Sequence, residues 1–456
     1  MTEFDSAARG PIPDGGDGTP LGLAALLAGT LVGTVSNNIV NVPLQAILDE
    51  FDAPLGSGVF VAVGFLVCFA ATLPMAGWLG DRFGRRRVYC ISLVATACCA
   101  VGAATAPTLP ILVAWRSAGG VAVAALSPPV MGLIAWMFRG DRRGRAMGAW
   151  ASVNGLGQAI GPTLGGVIAG TWGWRWVFVP LVPVALAGLI GTLRHVPRYP
   201  GTSIPFDRSG AVTLTVGSAL LMGAVAVLPQ PGVAAWAVVG CLAAAVAVLG
   251  WFVRHCLRVA DPFVDVRLAA ESRFARSCLA GYAQMFCLSA TLLAVPLYLI
   301  GGSVPVSVAG LVLFAVPATM VVLAPLVGRW LDRLGPRRVM RAGLGVLVAT
   351  QAGLIAVVAQ PAPRLAVMVP VLLLTGIGVA LVQTPAATGA TRSPAGESGT
   401  GLGLFNLIRF GGAAVGAAGV AIAVEFSGFP AVFLAGAAVA VLGLAGSFLG
   451  PDPLPG

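Results

Sequence analysis

The chain breaks into fourteen apolar stretches, most of them about 20 residues long and nearly free of charge, a pattern that no water-soluble fold requires. A hydrocarbon core about 30 Å thick is crossed by roughly 20 apolar residues in a helix, whose backbone groups are then satisfied within the segment. The stretches occupy 21–47, 58–79, 88–106, 110–138, 146–170, 174–193, 210–228, 233–252, 277–300, 304–327, 342–358, 366–388, 401–424 and 430–449. Of 456 residues, 57% are hydrophobic and 10% charged, with a mean hydropathy of +0.92. A soluble domain carries roughly 25% charged residues. The sequence therefore predicts an all-α polytopic membrane protein with fourteen transmembrane helices.

A net charge of +10 would suit a nucleic-acid partner, but the placement of the charge excludes one. All 27 basic residues are arginines, and they crowd into alternate loops. One set holds Arg82, Arg85, Arg86 and Arg87, then Arg139, Arg142, Arg143 and Arg145. It continues with Arg254, Arg258, Arg267, Arg273 and Arg276, and then Arg329 to Arg341. The opposite loops keep Arg175 and Arg364 and carry Asp49, Glu50, Asp52 and Glu425. Arginine-rich loops stay in the cytoplasm, which predicts an inner (plasma) membrane protein with both termini cytoplasmic. Residues 1–20 are rich in Gly, Pro and Asp and lack a basic segment leading into an apolar one, so they read as a tail rather than a signal peptide. The eight cysteines sit mostly inside apolar stretches without pairing or ligand spacing, so no metal and no cofactor is expected. No phosphate loop or nucleophile motif occurs, and the loops are too short for an ATPase domain. The chain does not read as an enzyme.

An internal repeat organises the rest. Gly77-Trp-Leu-Gly-Asp81-Arg82-Phe-Gly84-Arg85-Arg86-Arg87 recurs as Gly328-Arg-Trp-Leu-Asp332-Arg333-Leu-Gly335-Pro-Arg337-Arg338, an offset of 251 residues from Asp81 to Asp332. Six spans with short loops fill roughly 200 residues, leaving about 50 for one extra hairpin. The expected architecture is a tail (1–20), a six-helix half (21–195), an inserted two-helix hairpin with linkers (196–260), a second six-helix half (261–450) and a tail (451–456). The hairpin core, 210–252, carries no charge. It is expected to lie outside the two halves, with Thr213 and Ser218 away from any central path. Repeats of this kind belong to alternating-access carriers.

The first arginine loop resembles the loop between helices 2 and 3 of the major facilitator superfamily. The resemblance implies a conformational latch built from Gly77, Asp81, Arg82, Gly84, Arg85 and Arg86, with Asp332 and Arg333 in the second copy. In the fifth stretch, Gly157-Gln-Ala-Ile-Gly161-Pro162-Thr-Leu-Gly165-Gly166 resembles the antiporter motif of the export branch. Gly157, Gly161 and Gly165 recur every four residues and make one smooth face for a neighbouring helix, and Pro162 can kink it. With fourteen spans, the chain after residue 20 is similar to the fourteen-helix drug:proton antiporters. That resemblance implies a monomeric carrier in membrane lipid, exporting a small amphipathic drug, antibiotic or secondary metabolite with a proton as counter-ion. An uptake carrier or uniporter for a neutral or anionic metabolite is the alternative.

Polar groups inside the apolar stretches are the candidate substrate contacts. Ser36-Asn37-Asn38-Ile39-Val40-Asn41 resembles the first-helix segment of that branch, with Ser36 where the family carries aspartate. Asn37, Asn38 and Asn41 line a path or tie helices together. Arg116 resembles the arginine of the fourth helix, with Gly119 where glutamine is usual. Arg409, in Asn406-Leu-Ile-Arg409, is the second intramembrane cation, placed about two turns from the cytoplasmic end and able to reach that interface. Gln158, Gln284 and Gln383 complete the set. None of the 17 acids lies mid-span. Coupling then uses a peripheral acid such as Asp49 or Glu50, and the two arginines favour neutral or anionic cargo.

Overall fold

The computed structural model describes residues 18–40, 42–53, 55–139, 141–198, 201–228, 233–360 and 363–450. Residues 1–17, Asn41 and residues 451–456 lie outside the described residues, and the expected tail of 1–20 is cut short by α1, which Thr19 caps and Pro20 begins. Among those described there is no strand. In chain order the helices are α1 (Pro20–Asn38), α2 (Leu44–Glu50), α3 (Leu55–Phe83), α4 (Arg85–Ala104), α5 (Leu109–Ala124), α6 (Ser127–Met137), α7 (Asp141–Trp172), α8 (Leu181–His195) and α9 (Arg208–Val227). They continue as α10 (Ala235–Cys256), α11 (Val266–Ala269), α12 (Ser272–Gly301), α13 (Val306–Leu313), α14 (Ala315–Leu334), α15 (Pro336–Val358), α16 (Leu365–Arg392), α17 (Gly399–Phe426) and α18 (Phe429–Gly446).

Among the described residues, twelve helical segments are long and apolar enough to cross a membrane. α5 and α6 form one of them, Leu109–Met137, bent ahead of Pro128 and Pro129. The expected stretches 146–170 and 304–327 fall in α7 and in α13–α14, which are helical but are not among the twelve. α7 opens with Asp141, Arg142, Arg143 and Arg145, and α13 and α14 are separate helices that break at Phe314. The first stretch is shorter than expected: α1 stops at Asn38, and the chain turns before the short α2.

The sequence repeat is visible in the backbone. Gly84 joins α3 to α4 at φ +92°, and Gly335 joins α14 to α15 at φ +82°. Both are left-handed corners that a side chain would strain. α3 packs along α17, and α14 packs along α7, so the corresponding helix of each half crosses to the other half. The contact is close enough to need glycine: a β-carbon at Gly77 would overlap the Gly399 carbonyl, and one at Gly328 would lie 2.9 Å from the Gly144 carbonyl oxygen.

The small-residue face of α7 packs on α1 as expected. A β-carbon at Gly157 would collide with Thr34, one at Gly165 with the Ile39 carbonyl, and one at Gly161 would come to 3.0 Å from Asn38 Cβ. Pro162 lies inside α7. Gly157→Val is accordingly expected to destabilise the protein by about 1–3 kcal/mol by overpacking this seam. Thermal unfolding in detergent measures it, and an unchanged midpoint would contradict the seam.

α9 packs against α3 and α10 and reaches α17. α10 is the least enclosed of the twelve segments, and it exposes Trp236, Val239 and Val246. Ser218 is buried, and Thr213 donates to its own helix at the Ser209 carbonyl, 2.7 Å away.

Candidate functional site: a latch and a polar layer

At the arginine-rich end the two halves are tied together by hydrogen bonds. Asp81 ends α3 and lies four residues before Arg85, within reach of a helical pair, and its Oδ1 accepts from Arg85 Nε and Nη2 at 2.9 Å. The other carboxylate oxygen accepts from the Gly399 N–H. Gly399 is the first residue of α17, whose leading N–H groups have no partner within the helix and sit at the positive end of its dipole. Arg85 is buried against Gly132 and donates through Nη2 to the Glu397 carbonyl at 2.9 Å. Arg143 repeats the device, donating to the Thr391 carbonyl in the last turn of α16 at 2.6 Å. Asp81 and Arg85 thus both touch the segment at the start of α17, and Arg143 makes a comparable long-range contact that the sequence hid among ordinary loop arginines. Arg86 donates to the Leu193 carbonyl at 2.7 Å and so stays within its own half. In the second copy, Asp332 lies in the last turns of α14, and Arg333 is exposed there.

A strap runs beneath the first copy. The Thr202 N–H donates to the Asp81 carbonyl at 2.8 Å, Arg82 Nη1 to Ser203 Oγ at 2.9 Å, and Trp78 Nε1 to the Pro205 carbonyl at 3.3 Å. Trp78, Arg82 and residues 203–206 line an open groove of about 510 Å³. The strap ends at Asp207, which caps α9 through the Gly210 N–H at 2.9 Å and meets His255 Nε2 at 3.0 Å and the Phe263 N–H at 3.1 Å. Burial opposes the charged carboxylate, but these hydrogen bonds outweigh it and hold Asp207 below its ordinary pKa. The stabilisation is therefore complete above the ordinary aspartate value near about 4 and fades as pH falls through the lower folded value. Asp207→Ala is expected to loosen the junction by about 1 kcal/mol, the cost of a lost cap, which is about a fivefold larger open population. Amide exchange across 201–210 at neutral pH measures it, and unchanged protection would contradict the junction.

About 14–18 Å along the helices from the arginine-rich end lies a layer of buried polar groups. Arg409 is 2% exposed. It stands ten residues into α17, about 15 Å from that helix's start. It does not reach toward the arginine-rich interface, as the sequence allowed. Its guanidinium lies over the rings of Phe410, at 4.9 Å, and of Trp150 from α7 in the other half, at 5.2 Å. Gly281 of α12 leaves room for its Cγ, which a β-carbon there would meet at 3.5 Å. Gln284, one turn along from Gly281, and Gln383 of α16 are fully enclosed, and neither side-chain atom of either amide has a hydrogen-bond partner. Asn406 donates to the Leu402 carbonyl at 3.0 Å and to Met131 Sδ of the other half at 3.2 Å, leaving its Oδ1 unpartnered. Trp150 and Met131 escaped the sequence reading, since an aromatic or a methionine in a helix looks like ordinary core, and Asn406 entered it only as part of the segment that carries Arg409.

Arg116 forms a separate site. It is 3% exposed, its Nη1 donates to the Ser36 carbonyl at 2.8 Å, and its guanidinium covers Phe65 at 4.3 Å. Ser36 lies in the last turn of α1, where carbonyls are free and the helix end is negative, so a cation is stabilised there without an acid. A narrow cleft beside it is lined by Ser36, Thr96, Cys99, Trp115 and Phe178. Asn38 donates to the Thr34 carbonyl of its own helix at 3.0 Å, while Asn37 and Gln158 are half-buried. The structure thus brings Arg409, Gln284 and Gln383 to one depth and leaves Arg116 with the end of α1.

At the opposite end of the bundle Glu50 is clamped by an ion pair with Arg175 and by Trp174 Nε1 at 2.5 Å. The Arg175 hydrogen bond holds its carboxyl below the usual range, so Glu50 stays ionised at neutral pH.

Repeated helices, two halves meeting at a glycine seam and polar groups at mid-depth define a multi-pass membrane carrier. The family profile described as Major Facilitator Superfamily matches residues 25–269 and 277–456, and the chain belongs to that family of transporters. It is 30% identical over 391 residues to Multidrug resistance protein Stp of Mycobacterium tuberculosis (strain CDC 1551 / Oshkosh), covering 83% of this chain and 71% of Stp. It is 27% identical to the Methylenomycin A resistance protein of Bacillus subtilis, covering 92% and 90% of the two chains. It is also 27% identical to the Tetracenomycin C resistance and export protein of Streptomyces glaucescens, covering 79% and 68%. Among solved structures, the human organic anion transporter MFSD10 superposes with a TM-score of 0.68 at 16% identity, over 94% of this chain and 100% of that one. The proton:xylose symporter XylE superposes at 0.67 and 15% identity, over 93% and 94%. At these identities the likeness speaks to the fold.

Proposed function

We propose that the protein exports a small amphipathic molecule, of the drug, antibiotic or secondary-metabolite class, by alternating access. The observation that carries this reading is the latch of Asp81 and Arg85 on the start of α17, which closes one end of the bundle and can be broken and remade. The export direction is supported by the relatives named for multidrug resistance, methylenomycin resistance and tetracenomycin export. The arrangement we propose has fourteen spans, α7 and α13–α14 joining the twelve apolar segments. Two six-helix halves (21–195 and 261–450) flank an accessory hairpin of α9 and α10. The arginine-rich end faces the cytoplasm, as the positive-inside rule requires of a plasma-membrane protein. Arg116 and the layer of Arg409, Gln284 and Gln383 face cargo in turn, with Asn37, Asn38, Asn41 and Gln158 flanking the path. The glycine face of α7 and the two arginine loops carry the conformational change.

A proton entering as cargo leaves is the coupling we favour, taken by carboxylates at helix ends because none stands at mid-depth. The test is efflux from dye-loaded cells and uptake into everted vesicles, with and without a protonophore. Export predicts vesicle accumulation that collapses when the gradient is dissipated. Accumulation by intact cells would point instead to an uptake carrier, and persistence without a gradient would remove proton coupling.

A further inference from the structure

The mid-depth layer carries more than a generic cavity would. Arg409 Nε and Nη1, both side-chain atoms of Gln284 and of Gln383, Asn406 Oδ1 and Thr384 Oγ1 are all buried without a hydrogen-bond partner. Each such group destabilises the fold when enclosed without a partner. A core selected only for stability would not gather them at one depth. Counting along each helix from the arginine-rich end, Trp150, Gln383 and Arg409 stand at about 14–15 Å and Gln284 at about 18 Å. The helices that carry them touch: α12 packs on α16 and α17, and α16 packs on α7. No acidic side chain lies at this depth in the sequence. Among the described residues the charge of Arg409 is met by aromatic faces, and one of them, Trp150, belongs to the opposite half.

That last contact decides the reading. Parting the halves at the arginine-rich end moves α7 away from α17 and uncovers the guanidinium, its two unpartnered N–H groups and the neighbouring amides. A cation–π contact is weak beside the bidentate hydrogen bonding with which a planar oxyanion takes a guanidinium.

We infer that Arg409 is the anchor for an anionic aromatic cargo, a carboxylate or phenolate. We further infer that Trp150 is the plug that covers this anchor while the arginine-rich end is closed. The cargo's acidic group takes the Arg409 N–H groups, its ring replaces the indole, and the glutamine amides bind its remaining polar atoms. Closing the latch returns Trp150 to Arg409 and expels the anion toward the other end. The inference rests on the alternating access proposed above.

The test uses the full chain in lipid nanodiscs and two dyes on one xanthene core, fluorescein as the anion and rhodamine 123 as the cation. Fluorescence anisotropy is expected to show fluorescein binding at least tenfold more tightly than rhodamine. Arg409→Gln should remove that preference by weakening fluorescein alone, and Arg409→Lys should restore part of it. Trp150→Phe keeps the packing but weakens the competing π contact, so fluorescein should bind about threefold more tightly. A tryptophan serving only as core would lower affinity or leave it unchanged. Failure of fluorescein to bind, equal binding of anion and cation, or a preference surviving in Arg409→Gln overturns the inference. The direction of flux in everted vesicles is a separate readout. Accumulation by intact cells instead of by everted vesicles, with the anion preference intact, would sink export alone, and normal export of fluorescein by Arg409→Gln would sink the anchor alone.

Discussion

An Asp81→Asn variant is expected to reach the membrane in normal amount and to lose at least about tenfold in efflux rate. The carboxylate receives Arg85 on one oxygen and the Gly399 N–H on the other. An asparagine of the same shape can accept only one of these, and its NH2 group faces a donor on the other side. Hydrogen bonds to a charged group are worth roughly 1.5–3 kcal/mol, and each 1.4 kcal/mol shifts an equilibrium tenfold. The loss falls on the closed form, because the Gly399 bond crosses between halves. Folding within each half does not depend on it. Initial efflux rates normalised to protein in the membrane measure the effect, and wild-type flux in the variant would remove the latch from the mechanism.

Which parts of this protein its sequence discloses follows from where each constraint acts. Bilayer thickness acts on every stretch of about 20 residues separately, so the apolar segments stand out one by one. Arg409 and Arg116 were conspicuous because a charge within an apolar run is costly wherever it occurs. The repeat was legible at Gly84 and Gly335 because only glycine takes those left-handed corners readily. Partners across the halves were not. Gly399 lies 318 residues from Asp81 and presents only a backbone N–H, which leaves no trace in residue type. Arg143 donates to a carbonyl 248 residues away and, by sequence, looks like any loop arginine. Trp150 gains its significance only from standing opposite Arg409, and Ser36 matters through a carbonyl that any residue would supply. Asn38 shows the converse: a conspicuous amide in an apolar helix spends its donor on its own previous turn.

Gly77→Val is expected to abolish measurable efflux while leaving the protein in the membrane. α3 and α17 meet without side chains between them: Gly77 against the Gly399 peptide, and Gly403 against Leu73 and Pro74. A valine at 77 would drive its Cβ into the Gly399 carbonyl, which is backbone and cannot swing aside. Overpacking of this kind costs about 1–3 kcal/mol or more. Because the two backbones touch across halves, separation at the arginine-rich end relieves the strain, whereas a clash within one half would persist in both states. The variant should therefore be held open at that end. Spin labels at the exposed positions Phe83 and Arg392, one in each half, should report a longer distance in the variant. Gly80→Ala, on the same helix, is the control. A β-carbon there finds its nearest neighbour at 3.4 Å, so flux and label distance should match those of the unsubstituted protein. A valine variant that keeps the short distance and full flux would mean that the two backbones do not approach each other in the working cycle. The closure of this end would then have to be assigned to the arginines alone.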